Sequence, residues 1–207
     1  MLLLSRFKFN LASLLVVWGL VVGSGIVLLE VHASRPGDAG TRSLGWPEGS
    51  SIRRVGGRPT LLIFLHPCCP CSRASLAELA YIMSHAGGRV SAHALLLLPA
   101  HLPDRWSGSG IEQDLADLPD ILTWQDRGGS EARRFGVATS GHVLLYDAQG
   151  RLTYSGGITS ARGHRGDNYG RDAVLAQILG KERDRRGNPV FGCPLATPQP
   201  PVMEESL

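Results

Sequence analysis

The chain has 207 residues, enough for one domain of ordinary size with a remainder and too few for two sizeable cores. Hydrophobic residues at 43% and charged residues at 19% exclude a disordered polyelectrolyte, and 26 Gly with 13 Pro stay below the low-complexity range. The net charge is +3, and its 19 Arg and 2 Lys are scattered without a basic run, which gives nucleic-acid binding no support.

In chain order, the first feature is a charge-free stretch of 21 residues, Phe9 to Leu29. As a helix at ~1.5 Å per residue it spans about 31 Å, the thickness of a hydrocarbon core. Arg6 and Lys8 precede it without an acid, so the positive-inside rule keeps residues 1–8 in the cytoplasm and exports the rest. Residues 9–31 read as a transmembrane anchor or a signal segment. The length favours an anchor, while Val31-His32-Ala33 resembles a cleavage site. Residues 32–56 are rich in Gly, Pro, Ser and Arg and read as a linker, followed by a domain over 57–181.

Thr60 to His66 is an apolar run that fits a strand buried on both faces. Helical spacing follows from Cys71 to about His85 and ends at Gly87-Gly88. Val90 to Leu98 predicts a second strand, Leu102 to Gly110 a loop, Ile111 to Leu118 a short helix and Ile121 to Trp124 a short strand. Ser130 to Phe135 predicts one or two helical turns with Ser130 as N-cap. His142 to Tyr146, the turn Asp147–Gly150 and Arg151 to Tyr154 predict a hairpin, and Arg171 to Leu179 a last helix. The order gives an α/β domain with a mixed sheet flanked by helices. Residues 182–207 read as a tail, in which Val190-Phe191-Gly192-Cys193-Pro194 is an apolar island able to dock back. The acids between Glu112 and Asp126 read as a solvated face, and Trp106 and Trp124 as packing residues.

Three of the four cysteines fall within Pro67-Cys68-Cys69-Pro70-Cys71, where a strand ends and a helix begins. Cys68 and Cys71 have C-x-x-C spacing. The unpaired N–H groups and positive dipole end of a helix favour a thiolate there, which makes Cys68 the nucleophile. Cys71, one turn in, is placed to resolve a mixed disulfide, and Pro70 fits the first turn, where its missing N–H costs nothing. A structural disulfide and a zinc site are the alternatives, the latter short of ligands. No phosphate loop or dinucleotide fingerprint appears, so no organic cofactor is implied.

The segment "TLLIFLHPCCPCSRASLAELA", with its apolar strand, C-x-P-C and long helix, resembles the thioredoxin-like superfamily. "FGVATSGHVLLYDAQGRLTYSGGIT" resembles that family's stretch from substrate loop to hairpin, and the likeness covers Gly57 to Gly180. "HPCCPCSRAS" and "SGGITSARGHRGDN", with the anchor, are similar to a bacterial RedB-like branch. The resemblance implies Cys68 as attacking and Cys71 as resolving thiol, with Pro70, Ser140 and Gly141 around the substrate. It implies a bacterial inner-membrane, single-pass protein whose domain faces the periplasm. Its partners would be protein or small-thiol disulfides and an electron donor or acceptor. Three positions depart from the family: Gly141 stands in place of a cis-Pro, Pro67 in place of a Trp, and Leu62 in place of a buried acid. The alternative is a Cu(I) carrier using Cys68, Cys69 and Cys71 with His66 or His164. Cys193 reads as a partner of Cys69, a tail staple or a free thiol, and Gly156–His164 as either a rim loop or a surface connection.

Overall fold

The computed structural model describes residues 11–98, 110–181 and 187–195. Residues 1–10, the loop expected over 102–109 with Trp106, and the tail from 196 onward lie outside them.

The first helix, α1 (Leu11–Ala33), is apolar on every side and buries none of its residues. It is long and apolar enough to cross a membrane. The domain then runs β1 (Thr60–Leu65), α2 (Pro70–Ala86), β2 (Ser91–Leu98), α3 (Ile111–Ala116), β3 (Ile121–Arg127), α4 (Ser130–Arg134), β4 (His142–Tyr146), β5 (Leu152–Gly157), α5 (Tyr169–Ile178) and β6 (Gly187–Asn188). The sheet order is β3-β2-β1-β4-β5-β6. β1 lies parallel to β2 and antiparallel to β4, so the expected mixed sheet is present.

β1 is buried along its whole length because it is central and has a layer on each face. Leu61, Ile63 and Leu65 point into a layer built with Leu76, Leu79 and Ile82 of α2 and Ala173, Val174 and Ile178 of α5. Leu62 and Phe64 point the other way, onto Leu95, Leu144, Tyr146 and Phe135. That two-residue alternation explains why the strand reads as a continuous apolar run. Each fully buried Leu or Ile contributes about 1.5–3 kcal/mol.

Several element ends differ from the sequence reading. β3 continues to Arg127, and the return strand of the hairpin runs Leu152–Gly157. α5 starts at Tyr169 because Asn168 caps it, its side chain accepting from the Arg171 N–H at 2.8 Å. Ser130 is not the N-cap of α4; Gly129 is. The capping carboxylate comes from Asp126, which accepts from the N–H groups of Glu131 (2.8 Å) and Ala132 (2.9 Å). Asp126 is therefore buried, and the solvated face expected to include it stops short of it.

The segment expected as a linker is laid against the domain. Ile52 is buried, Trp46 packs edge-on against Phe135 and Tyr146, and Gly45 bridges to Arg151. The apolar island docks back: Val190 and Phe191 are buried, and β6 pairs in parallel with β5.

Candidate functional site

Where β1 ends, the chain turns over His66, Pro67 and Cys68 into α2. The Cys69 N–H donates to the His66 carbonyl at 3.1 Å, and the Ser72 N–H to the Cys69 carbonyl at 3.0 Å. Cys69 is thus the N-cap, Pro70 the first helical residue and Cys71 the second. Cys68 lies one residue ahead of the cap and is exposed, while Cys69 and Cys71 are buried and Cys193 is half-buried. All four are free thiols.

The buried sulfurs form one network. Cys69 accepts hydrogen bonds from the thiols of Cys71 and Cys193. The Cys71 thiol, foremost, and the Cys193 donors outweigh burial and pull Cys69 down to about 4. Cys71 is pushed far up, first by donating to Cys69 and then by burial. Burial, and then donation to Cys69, raises Cys193 to about 11. The hydrogen bonds from Cys71 and Cys193 thus favour the thiolate of Cys69 over those of its two neighbours. The apolar island carries Cys193 to Cys69.

His66 is tied into the backbone of the turn. Its Nδ1 accepts the Cys68 N–H at 3.2 Å, and burial, ahead of an opposing pull from Cys69, lowers its pKa. It stands beside Cys68 as a hydrogen-bond acceptor through Nδ1.

The loop carrying Ser140 and Gly141 faces this turn. Ser140 Oγ accepts from the His66 N–H at 2.9 Å and lies 2.9 Å from Ser72 Oγ, which donates to the His66 carbonyl at 2.8 Å. The Gly141 N–H donates to the Phe64 carbonyl at 2.7 Å. The Ser140 N–H donates to the Cys193 carbonyl at 2.8 Å, so both backbone donors of the expected substrate loop are engaged within the chain. Gly141 has φ +85°, and a Cβ there would lie 2.7 Å from Ser75 Oγ. No cis peptide occurs among the described residues. Proline, whose φ is fixed near −65°, does not fit this backbone.

The Gly-rich stretch after β5 reaches the same place. The Gly163 N–H donates to the Cys71 sulfur, and Arg162 Nη1 donates to the Gly192 carbonyl at 2.7 Å. Of the stretch Gly156–His164, Arg162 and Gly163 thus border the cysteine cluster. Leu62 is fully buried among Phe64, Leu95 and Leu144 and offers no proton acceptor.

A central parallel pair, an antiparallel hairpin beside it, and a long helix opening on C-x-P-C directly after the central strand decide the architecture. The fold is thioredoxin-like. Thirty-nine solved chains match it. A hypothetical protein from Sinorhizobium meliloti 1021 is 22% identical, with 81% of this chain and 99% of that chain covered and a TM-score of 0.57. An uncharacterized conserved protein from Geobacillus kaustophilus is 16% identical, with 81% and 95% covered and a TM-score of 0.58. A secreted Mycobacterium tuberculosis disulfide oxidoreductase is 16% identical, with 60% and 83% covered and a TM-score of 0.43. No protein-family model and no curated protein matches the chain. Among the described residues no group of three or more His, Cys, Asp or Glu is placed to hold a metal ion.

Proposed function

We propose that this chain is a thiol–disulfide oxidoreductase of the bacterial cell envelope, anchored in the inner membrane by α1 with its domain facing the periplasm. The observation that carries this reading is the exposed Cys68 directly ahead of α2, with Cys71 buried in the first helical turn of a thioredoxin-like fold. A fully exposed sulfur is the one most open to a protein disulfide, and a buried one is shielded from competing partners.

In the reducing direction, the Cys68 thiolate attacks one sulfur of a protein or small-molecule disulfide. The substrate S–S bond breaks, the leaving sulfur takes a proton, and a mixed disulfide forms on Cys68. Cys71 then gives up its proton and attacks the Cys68 sulfur, closing Cys68–Cys71 and releasing the second substrate thiol. A dithiol partner returns the pair to the reduced form. Run in reverse, the same steps donate a disulfide. Pro70 and the Ser140-Gly141 loop, which hydrogen-bonds to the turn ahead of α2, would shape the substrate approach.

Replacing Cys68 by Ser tests this. Exchange with a disulfide-bonded protein is expected to fall to the background rate, while the circular dichroism spectrum stays that of the parent. Full activity in Cys68→Ser would refute the assignment.

A further inference from the structure

The C-terminal segment brings a fourth sulfur to the cluster, and its backbone holds that sulfur in place. Residues 191–195 run antiparallel to the Ala138–Gly141 loop. The Ser140 N–H donates to the Cys193 carbonyl and the Leu195 N–H to the Ala138 carbonyl, both at 2.8 Å, and Thr139 bridges to Pro194. Arg162 fixes the Gly192 carbonyl from the far side, and the Gly37 N–H donates to the Val190 carbonyl at 2.8 Å. Gly192 permits this approach: a Cβ there would lie 2.0 Å from the Ser140 carbonyl oxygen. The Cys193 thiol therefore meets the Cys69 sulfur in a framed contact, far in sequence and close in space.

We propose that Cys69 and Cys193 are a second dithiol–disulfide couple, lying behind Cys68 and able to lock the C-terminal segment onto the mouth of α2. The oxidant is a small-molecule disulfide, RSSR. Cys193, half-buried rather than enclosed, exchanges first. Its deprotonated sulfur attacks RSSR, one RS⁻ leaves and takes a proton, and Cys193 carries SR. The Cys69 thiolate then attacks the Cys193 sulfur, the bond to SR breaks, and the second RS⁻ leaves and is protonated. Two chain thiols are oxidised and RSSR is reduced to two RSH. The hydrogen bond from the Cys71 thiol, which outlasts modification of Cys193, favours the Cys69 thiolate needed for the second step. The couple stands independently of the role assigned to the Cys68–Cys71 pair.

The experiment equilibrates the full-length chain in detergent with excess oxidised glutathione, quenches with an alkylating agent under denaturing conditions, and maps disulfides by mass spectrometry. The parent chain is expected to contain a cross-link joining the peptide with residues 68–71 to the peptide with Cys193. Cys68→Ser/Cys71→Ser, in which only Cys69 and Cys193 remain, is expected to lose both alkylatable thiols to an intramolecular bond. Cys68→Ser/Cys69→Ser is expected to keep both. Absence of the cross-link in the folded parent overturns the proposal, as do two free thiols in the first variant or equal oxidation of the two variants. None of these readouts uses exchange activity, so a failure here is separate from a failure at Cys68.

Discussion

Cys69 occupies a place where a glycine would serve the turn as well. Its sulfur, one position behind the exposed thiol, collects the hydrogen bonds of Cys71 and Cys193. The consequence falls on Cys71, whose proton is retained chiefly because it is shared with Cys69. The resolving step proposed for Cys71 needs that proton gone. Its rate is therefore expected to climb with pH across the neutral range, close to tenfold per unit as for any thiol below its pKa. Cys69→Ala removes the acceptor, which lowers the Cys71 pKa and raises the resolving rate at neutral pH. Stopped-flow measurement of mixed-disulfide decay in the parent and in Cys69→Ala checks this. A slower variant would contradict it. The sequence left Cys69 open between a copper ligand, a partner of Cys193 and a small residue, because its environment depends on a residue 124 positions away that only the folded chain brings near.

At the scale of elements, α2 and α5 are joined by a buried charge pair as well as by apolar contact. Arg171 Nη1 lies 3.1 Å from Glu78 Oε2, with both side chains buried, and its guanidinium stacks 4.2 Å from the Tyr81 ring centre. Glu78 also accepts the Gly166 N–H, which ties the rim loop to the helix that presents the cysteines. Arg171→Met leaves Glu78 buried without its partner and is expected to destabilise the fold by about 3–5 kcal/mol. Urea unfolding measures it, and a loss below about 1 kcal/mol would mean the pair does not clamp the helices. The elements themselves were legible from periodicity: β1, α2, β2 and the hairpin stand where apolar runs and helical spacing put them. Their caps were less so. Asp126 caps α4 from the preceding strand, and a carboxylate four residues ahead of a helix carries no local sign of that role.

For the whole molecule, the segments outside the sheet complete the site. Residues 34–58 cover one face through Trp46 and Ile52, and residues 187–195 close the edge beside the cysteines. Composition alone made the first a linker and the second a tail, because stretches rich in Gly, Pro and Arg show no periodicity even when a few anchors bind them. Burial of titratable groups gives the folded chain a pH dependence. His142 is enclosed against Ser155, and burial, aided by the charge of Arg42, lowers it from 6.5 to about 4. The unfolded chain binds the extra proton between those values, so this contribution is full above pH 6.5 and is lost as pH falls toward 4. It amounts to about 3 kcal/mol. Cys69, also lowered, acts in the same direction over a window reaching up to ordinary thiol values. Comparing urea midpoints of the parent and His142→Gln from pH 4 to 7 isolates the histidine part. The variant is expected to lose the steep rise between 4 and 6.5, and an unchanged slope would contradict the assignment.

Cys68 is the sulfur proposed to meet other molecules. The direct test reacts the Cys71→Ser chain with one equivalent of an aromatic disulfide and maps the adduct by mass spectrometry. A stable mixed disulfide on Cys68, which the parent chain discharges, is the predicted result. An adduct on Cys69 or Cys193 with Cys68 unmodified would contradict it.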